Sequence, residues 1–382
     1  MSHGDEAEQV PTGFEIIGHT ESAQAAAIAN KSDSIFGIQF HPEVVHTEQG
    51  TQILKNFALK ICGAKQEWTM KTFVENSIEK ISKIEGNVLC AVSGGVDSTV
   101  TALLIHKAIG DRLKCIFVDN GLLRKNEEKE IEEMFTKNFS VNFNSINAKE
   151  EFLKKLKGII DPEQKRKIIG EEFIRIFTDF AEKNGPFKWL AQGTLYPDVI
   201  ESGVSKGPAS VIKTHHNVGG LPDWLKLEIL EPLRDLYKDE VRKIGEILGV
   251  PKRLLIRHPF PGPGLAVRII GEITEKKLKI AKIASKIVEE ELEDAELYDK
   301  VWQAYAAVGD DKAVGVVGDK RKYGNIVMIR VVDSVDAMTA DWTRLPHGLL
   351  EKISNRITNE IDDVTWVSYV VSSKPPATIE PQ

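Results

Sequence analysis

The stretch Asn87-Val88-Leu89-Cys90-Ala91-Val92-Ser93-Gly94-Gly95-Val96-Asp97-Ser98 decides the fold of this 382-residue chain. Residues 88–92 are continuously apolar, which is typical of a strand buried on both faces of a parallel sheet. Two glycines then allow a tight turn, and residues 99–109 have the pattern of a helix. A buried strand, a glycine turn and a helix in this order predict one strand–turn–helix unit of an α/β domain.

The same alternation continues outward from this unit. A helix ending at Ile84 comes before this unit. Further strands are predicted at 113–118, 141–146 and 188–191. Helices are predicted between these strands, at 126–138 and 162–184, and after the last of them, at 237–248. Apolar strands separated by helices imply a parallel sheet with right-handed crossovers. Residues 196–223 are rich in Gly, Pro, Ser and Thr, and a loop of that length is usually functional or mobile.

The two ends of the chain have a different pattern. Residues 266–382 predict an α+β domain, with helices at 275–291 and 348–359, β-rich sequence at 301–333 and a strand at 364–371. Residues 1–64 predict a short helix at 22–30, a strand at 34–40 and a helix at 50–62, too few elements to close a layer. We therefore expect the chain to begin inside a domain, and we divide it into 1–64, 65–265 and 266–382.

Composition excludes several classes of protein. The chain has 50 basic and 57 acidic residues, a net charge of −7, which argues against a nucleic-acid partner held by bulk phosphate attraction. No apolar run approaches the about 20 residues of a membrane span, and the N-terminus lacks a signal-peptide pattern. Cys62, Cys90 and Cys115 are too few for a disulfide framework or a four-ligand zinc site. We expect a cytoplasmic protein.

The loop after the first strand is suited to phosphate. Its glycines let the backbone approach a ligand, and the helix that follows presents free N–H groups and a positive dipole end. Its serines add hydroxyl donors, and Asp97 is the candidate magnesium ligand. The candidate ATP-binding residues are Ser93, Gly94, Gly95, Val96, Asp97, Ser98 and Thr99. The simpler interpretation is a glycine turn with a Ser/Asp helix cap.

This Ser-Gly-Gly-x-Asp-Ser pattern resembles the pyrophosphate loop of the N-type ATP pyrophosphatases, which cleave ATP between the α and β phosphates. Within that group, five further stretches resemble the GMP synthetase family: 119–124, 192–198, 213–217, 258–265 and 374–380. The resemblance implies a parallel-sheet ATP pyrophosphatase domain followed by a smaller α+β dimerisation domain, and hence a homodimer. It also implies that ATP and magnesium adenylate XMP, with release of pyrophosphate, before ammonia displaces AMP and gives GMP.

The same resemblance implies roles for further residues. Lys213 is the expected lid lysine over ATP, and Asp198 and Glu201 are expected at the lid and active site; without the resemblance they are a solvated lysine and helix-capping acids. The residues expected to contact XMP are Arg166, Gln303, Lys374, Thr378 and Glu380. Trp366 departs from the pattern, because the family usually has an arginine there. The adjacent His215 and His216 do not predict a zinc site.

Residues 1–64 resemble the end of a class I glutamine amidotransferase domain, in which His41 activates a cysteine and Glu43 orients the histidine. The nucleophile belongs upstream of residue 1, and none of the three cysteines fits that role. We therefore expect the chain to use free ammonia and not glutamine, whether it is a fragment or a natural start.

Two alternatives remain open. One is a related ATP pyrophosphatase with another acceptor, such as a tRNA base or an NAD precursor. The other is a catalytically dead nucleotide-binding homologue, which the missing nucleophile and Trp366 favour and the intact phosphate loop opposes.

Overall fold

The computed structural model describes residues 9–21, 23–44, 47–199, 227–334 and 338–382. Two compact units make up the chain, Met1–Thr69 and Met70–Gln382. The predicted boundary between residues 65–265 and 266–382 falls inside the second unit and stays a prediction.

The first unit contains a small antiparallel sheet. Strands β1 (Glu15–Gly18), β2 (Ala27–Asn30) and β3 (Ile35–Ile38) pair in the order β1-β2-β3. Helix α1 (Gly50–Lys55) follows and continues into a π-helical turn, Asn56–Ile61. This helical pair occupies most of the predicted helix at 50–62.

The helix predicted at 22–30 is wrong. Its alanines have high helix propensity, but the structure places β2 there, with β1 on one side and β3 on the other. Ala27 and Ala29 are buried in this central strand. Hydrogen bonding to two neighbouring strands outweighs local propensity, which is a weak preference.

The second unit contains a five-stranded sheet in which all neighbouring strands are parallel. Its strands are β4 (Val88–Ala91), β5 (Leu113–Asp119), β6 (Phe143–Asn147), β7 (Trp189–Ala191) and β8 (Glu228–Leu230). They lie in the order β6-β5-β4-β7-β8. The α/β prediction is thus confirmed, and the strand order reverses between β4 and β7, the position where open parallel sheets bind ligands.

Helices connect and flank these strands. They are α2 (Met70–Ser82), α3 (Val96–Ile109), α4 (Glu127–Glu133), α5 (Lys149–Leu156), α6 (Pro162–Asn184), α7 (Lys238–Leu248) and α8 (Lys252–Leu255). The bounds of α6 match the prediction, because Asp161 caps the helix by accepting the Gln164 N–H at 2.8 Å and proline occupies the first turn.

The C-terminal part of this unit forms a second sheet. Strands β9 (Gln303–Val317) and β10 (Lys320–Asp333) form a long hairpin; β11 (Asp341–Trp342) pairs antiparallel and β12 (Val364–Tyr369) parallel with β10. Helices α9 (Glu275–Asp294) and α10 (His347–Glu360) accompany the sheet. One hydrophobic cluster joins strand residues of the parallel sheet to residues of α9 and β9. In the part of the chain described, no helix is long and apolar enough to cross a membrane.

Candidate active site

The loop after β4 takes a conformation that requires glycine. Gly94 has φ +81°, and a Cβ on it would lie 2.2 Å from the Cδ1 atom of Ile131 in α4. Gly95 is the N-cap residue of α3, so the loop ends where the free N–H groups of that helix begin. This geometry is the one expected for a phosphate site at a helix N-terminus.

The two serine hydroxyls hold the loop together. Ser93 Oγ lies 3.1 Å from Ser98 Oγ; Ser98 Oγ also accepts the Ser93 N–H at 3.2 Å and bonds the Gly95 carbonyl at 3.2 Å. Val96 is buried, and Thr99 is fully buried with its N–H donating to the Gly95 carbonyl at 3.1 Å. The ATP contacts predicted for these residues therefore rest mainly on the N–H groups of the loop and first turn.

The loop after β7 packs directly on this turn. A Cβ on Gly193 would lie 3.1 Å from the Asp97 carbonyl carbon and 3.2 Å from the Ser98 nitrogen, so this close approach favours glycine. Asp198 Oδ2 accepts the Leu195 N–H at 2.9 Å, which is the capping role of the simpler interpretation. Strands β4 and β7 thus bring Asp97 and Asp198 to the same edge of the sheet.

Burial raises the pKa of Asp97, and the charge of Asp198 adds to the rise, while Lys238 and Arg242 of α7 oppose it. Its buried Oδ1 accepts no hydrogen bond from the residues described. An orphaned carboxylate oxygen beside a phosphate loop fits magnesium, which usually takes one or two protein carboxylates together with phosphate oxygens.

Lys238 and Arg242 are functional candidates that the sequence analysis missed. They lie on the first turns of α7, which follows β8 and therefore starts at the edge of the sheet that carries the phosphate loop. The buried Nε of Arg242 has no partner among the residues described. The signal that was overlooked is a pair of cations at the start of a helix after a parallel strand.

Most of the predicted XMP contacts converge on the last residues of the chain. Arg166 donates to the Gln382 carbonyl at 2.7 Å, and Gln303 donates to Glu380 Oε1 at 2.6 Å. Thr378 Oγ1 donates to the Glu380 carbonyl. These residues come from α6, β9 and the tail, which the structure brings together.

Two further residues singled out in sequence are placed by the strands of the C-terminal sheet. Lys374 pairs through its backbone with Ala340, next to β11, at 2.7 and 3.1 Å. Trp366 lies opposite Ile326 of β10, whereas Gln303 lies opposite Val332, about 20 Å further along that strand. Glu201 and Lys213 fall outside the described residues.

In the first unit, His41 and Glu43 form the pair expected of an amidotransferase. His41 Nδ1 lies 2.7 Å from Glu43 Oε1, and both side chains are more than half exposed. A backbone hydrogen bond, followed by the bond to His41, lowers the pKa of Glu43. Cys62 is exposed just after the π-helical turn, while Cys90 and Cys115 are buried on β4 and β5.

Three family descriptions match successive parts of the chain: "Glutamine amidotransferase class-I" at 1–61, "NAD synthase" at 68–175 and "GMP synthase C terminal domain" at 290–381. A glutamine-hydrolysing GMP synthase of Clostridium acetobutylicum is 53% identical over 382 residues, covering 100% of this chain and 74% of the relative. The corresponding protein of Caldicellulosiruptor saccharolyticus is 55% identical, covering 100% and 75%. An NMN synthetase structure from Francisella tularensis is a weak likeness, with a TM-score of 0.39 and 17% identity over 52% of this chain and 78% of that one. On its identity to these relatives, the chain belongs to the glutamine-hydrolysing GMP synthase family.

Proposed function

We propose that this chain aminates XMP to GMP at the expense of ATP. The C2 oxygen of XMP attacks the α-phosphorus of ATP and pyrophosphate leaves; ammonia then adds at C2, loses a proton and displaces AMP with that oxygen. The observation that carries the proposal is the phosphate loop, which is held by Gly94 and Gly193 where the strand order reverses.

The residues of the loop would bind the leaving pyrophosphate. Charge develops on phosphate oxygens in such a step, so preorganised N–H groups at the start of α3 stabilise it most effectively. Asp97 would hold magnesium, which neutralises phosphate charge when bound. Lys213 and Glu201 keep the lid roles implied by the resemblance, and the tail cluster of Arg166, Gln303 and Glu380 would bind XMP.

We further propose that these 382 residues take free ammonia as the nitrogen donor. His41 and Glu43 supply a base and its orienting acid, but a thiolate must stand beside them. Cys90 and Cys115 are buried in a parallel sheet, where the side-chain hydrogen bond with Cys90, and then burial, raise the pKa of Cys115. A thiol of that kind stays protonated and unreactive.

The test is GMP formation by the purified chain with XMP, ATP and magnesium, supplied once with ammonium and once with glutamine. Product with ammonium only is the expected result. Product with glutamine would overturn the nitrogen source but not the amination. ATP binding without product from either donor would favour another acceptor or a catalytically dead homologue.

We also propose that the chain acts as a homodimer in the cytoplasm, where its nucleotide substrates are found. The C-terminal sheet exposes Val314, Val316, Tyr323 and Trp366, each more than half exposed. Grouped apolar side chains on one sheet are typical of a protein interface. Sedimentation equilibrium should give twice the 42.5 kDa chain mass, and a Val316→Glu variant should shift that mass towards the monomer.

A further inference from the structure

The carboxylate of Glu127 lies against the phosphate loop, and the reaction scheme above does not use it. Glu127 is the first residue of α4 and is 3% exposed. A Cβ built on Gly94 would lie 3.7 Å from Glu127 Oε1 and 2.2 Å from Ile131 Cδ1, so both side chains pack under the backbone of the loop. One of these contacts is apolar packing, and the other is a buried charge.

Two arginines hold this carboxylate in one orientation. Glu127 Oε2 accepts the Arg124 backbone N–H at 2.9 Å. Glu127 Oε1 accepts from Arg124 Nη1 at 3.3 Å and from Arg257 Nη1 at 3.1 Å. The arginine side chains are only 10% and 14% exposed. An ionised carboxylate is costly to bury unless it is paired, and charge-assisted hydrogen bonds of this kind fix its geometry.

The two arginines are themselves anchored outside the contact with Glu127. Arg124 Nη2 donates to the His258 carbonyl at 2.8 Å, and Arg124 Nε lies 3.5 Å from Glu289 Oε1 on α9. Arg257 Nη2 donates to Glu130 Oε2 at 2.5 Å. The position of the Glu127 carboxylate is therefore set by distant parts of the chain as well as by α4.

We propose that Glu127 is a positioning residue for the pyrophosphate part of ATP: held by Arg124 and Arg257, it fixes Gly94 so that the N–H groups of the loop are directed at the phosphates. The inference rests on the proposed function. Through its charge alone, a carboxylate under an anion-binding loop would weaken phosphate binding. Fixing the donors strengthens it, because donors that need not move on binding stabilise phosphate charge best. Removing the charge of Glu127 therefore separates the two effects, which have opposite signs.

The test is the binding of magnesium pyrophosphate to the full chain by calorimetry. Glu127→Gln keeps the size of the side chain but loses the paired charge, and should weaken pyrophosphate binding about fivefold to tenfold. In the ammonium-dependent assay, KM for ATP should rise by a similar factor while KM for XMP stays the same. A merely structural loss would reduce the active fraction and leave pyrophosphate affinity and both KM values unchanged. Unchanged or tighter pyrophosphate binding would overturn the inference.

Glu130→Gln is the matched control, because it removes the same charge from the same helix and from the same arginine. The Glu130 side chain is 42% exposed, against 3% for Glu127. The control should leave pyrophosphate binding unchanged. Equal weakening by both variants would overturn the inference, because the effect would then belong to the pairing of Arg257 and not to the contact with Gly94.

Arg257→Lys keeps the charge but cannot reach both carboxylates with a planar fork, and should also weaken pyrophosphate binding. If Arg257 acts through Glu127, the double variant binds pyrophosphate no more weakly than Glu127→Gln alone. Multiplication of the two factors would contradict this role. If Glu127→Gln fails to fold, Arg257→Lys decides by the same readouts. Failure of the wild-type chain to bind magnesium pyrophosphate would instead refute the phosphate loop and, with it, the proposed function.

Discussion

At the scale of single residues, burial sets the charge of His258. Its Nδ1 accepts the Ala304 N–H at 3.2 Å and its Nε2–H donates to the Tyr298 carbonyl at 2.7 Å, which defines one neutral tautomer. The ring also stacks on Tyr298, with centroids 3.9 Å apart. Desolvation, with smaller contributions from nearby arginines, lowers the pKa of His258 to about 4.

This pKa predicts a loss of stability in acid. Because the folded state binds the proton more weakly than the unfolded chain, the unfolded state gains protons first as pH falls below about 6.5. We expect the titration of His258 alone to lower the free energy of unfolding by about 2 kcal/mol as the pH falls from 7.5 to 5. His258→Gln can keep both hydrogen bonds but does not titrate, so urea denaturation should show a smaller pH dependence. Equal pH dependence in the two proteins would contradict the assignment.

Asp97→Asn tests the metal ligand of the phosphate loop. The amide preserves the shape of the side chain but lacks the charge that magnesium requires, so kcat should fall at least about 100-fold. Stability should not decrease, since burial already raises the pKa of this carboxyl. Pyrophosphate release against magnesium concentration is the measurement. The control is Asp111→Asn, at an exposed position in the turn after α3, which should leave pyrophosphate release unchanged. If Asp97→Asn also left release unchanged, Asp97 would not be a metal ligand.

At the scale of elements, the junction of β4 and α3 depends on Gly94. Gly94→Ala should lower the unfolding free energy by about 2–4 kcal/mol, from positive-φ strain plus overpacking against Ile131. Gly158→Ala is the control: its φ is +77°, but a Cβ there meets nothing within 4 Å. It should cost about 1 kcal/mol. Equal costs by urea denaturation would show that Ile131 moves aside freely.

Elements were predictable from sequence where the signal is local. The cap at Asp161 and the proline after it give the start of α6 to the residue, and continuous apolar runs give β4 and β5. The failure at 22–30 has the opposite cause, because β2 forms through pairing with strands that precede and follow it. Local propensity carries no information about such partners.

At the scale of the whole molecule, the limits of sequence reasoning lie in long-range contacts. The loop of residues 93–98 was predictable because one short stretch contains it. The contact of Arg268 with Glu380 was not predictable, because the two residues lie 112 positions apart in the chain. The contact of Arg166 with Gln382 spans 216 positions. The order β6-β5-β4-β7-β8 likewise follows from packing and not from any periodicity along the chain.

The division into two units leads to a prediction about the whole chain. Both hydrophobic clusters of the described residues are built from position 74 onward, so Met70–Gln382 contains its own cores. The phosphate loop and the tail cluster also belong to this unit. A protein of residues 70–382 should therefore fold and aminate XMP with ammonium, with kcat and KM for XMP within about twofold of the full chain, since domains with their own core fold alone.

The measurement is a steady-state comparison of the two proteins, with far-UV circular dichroism and thermal melting as checks on folding. Val316→Glu in the same shortened chain alters the exposed face of the C-terminal sheet and leaves the phosphate loop unchanged. It should shift the mass towards the monomer, and so it separates the effect of losing the dimer from the effect of losing residues 1–69. If the shortened protein folds but turns over more than tenfold slower, residues 1–69 contribute to turnover. Normal turnover would show instead that the synthetase chemistry is complete without it.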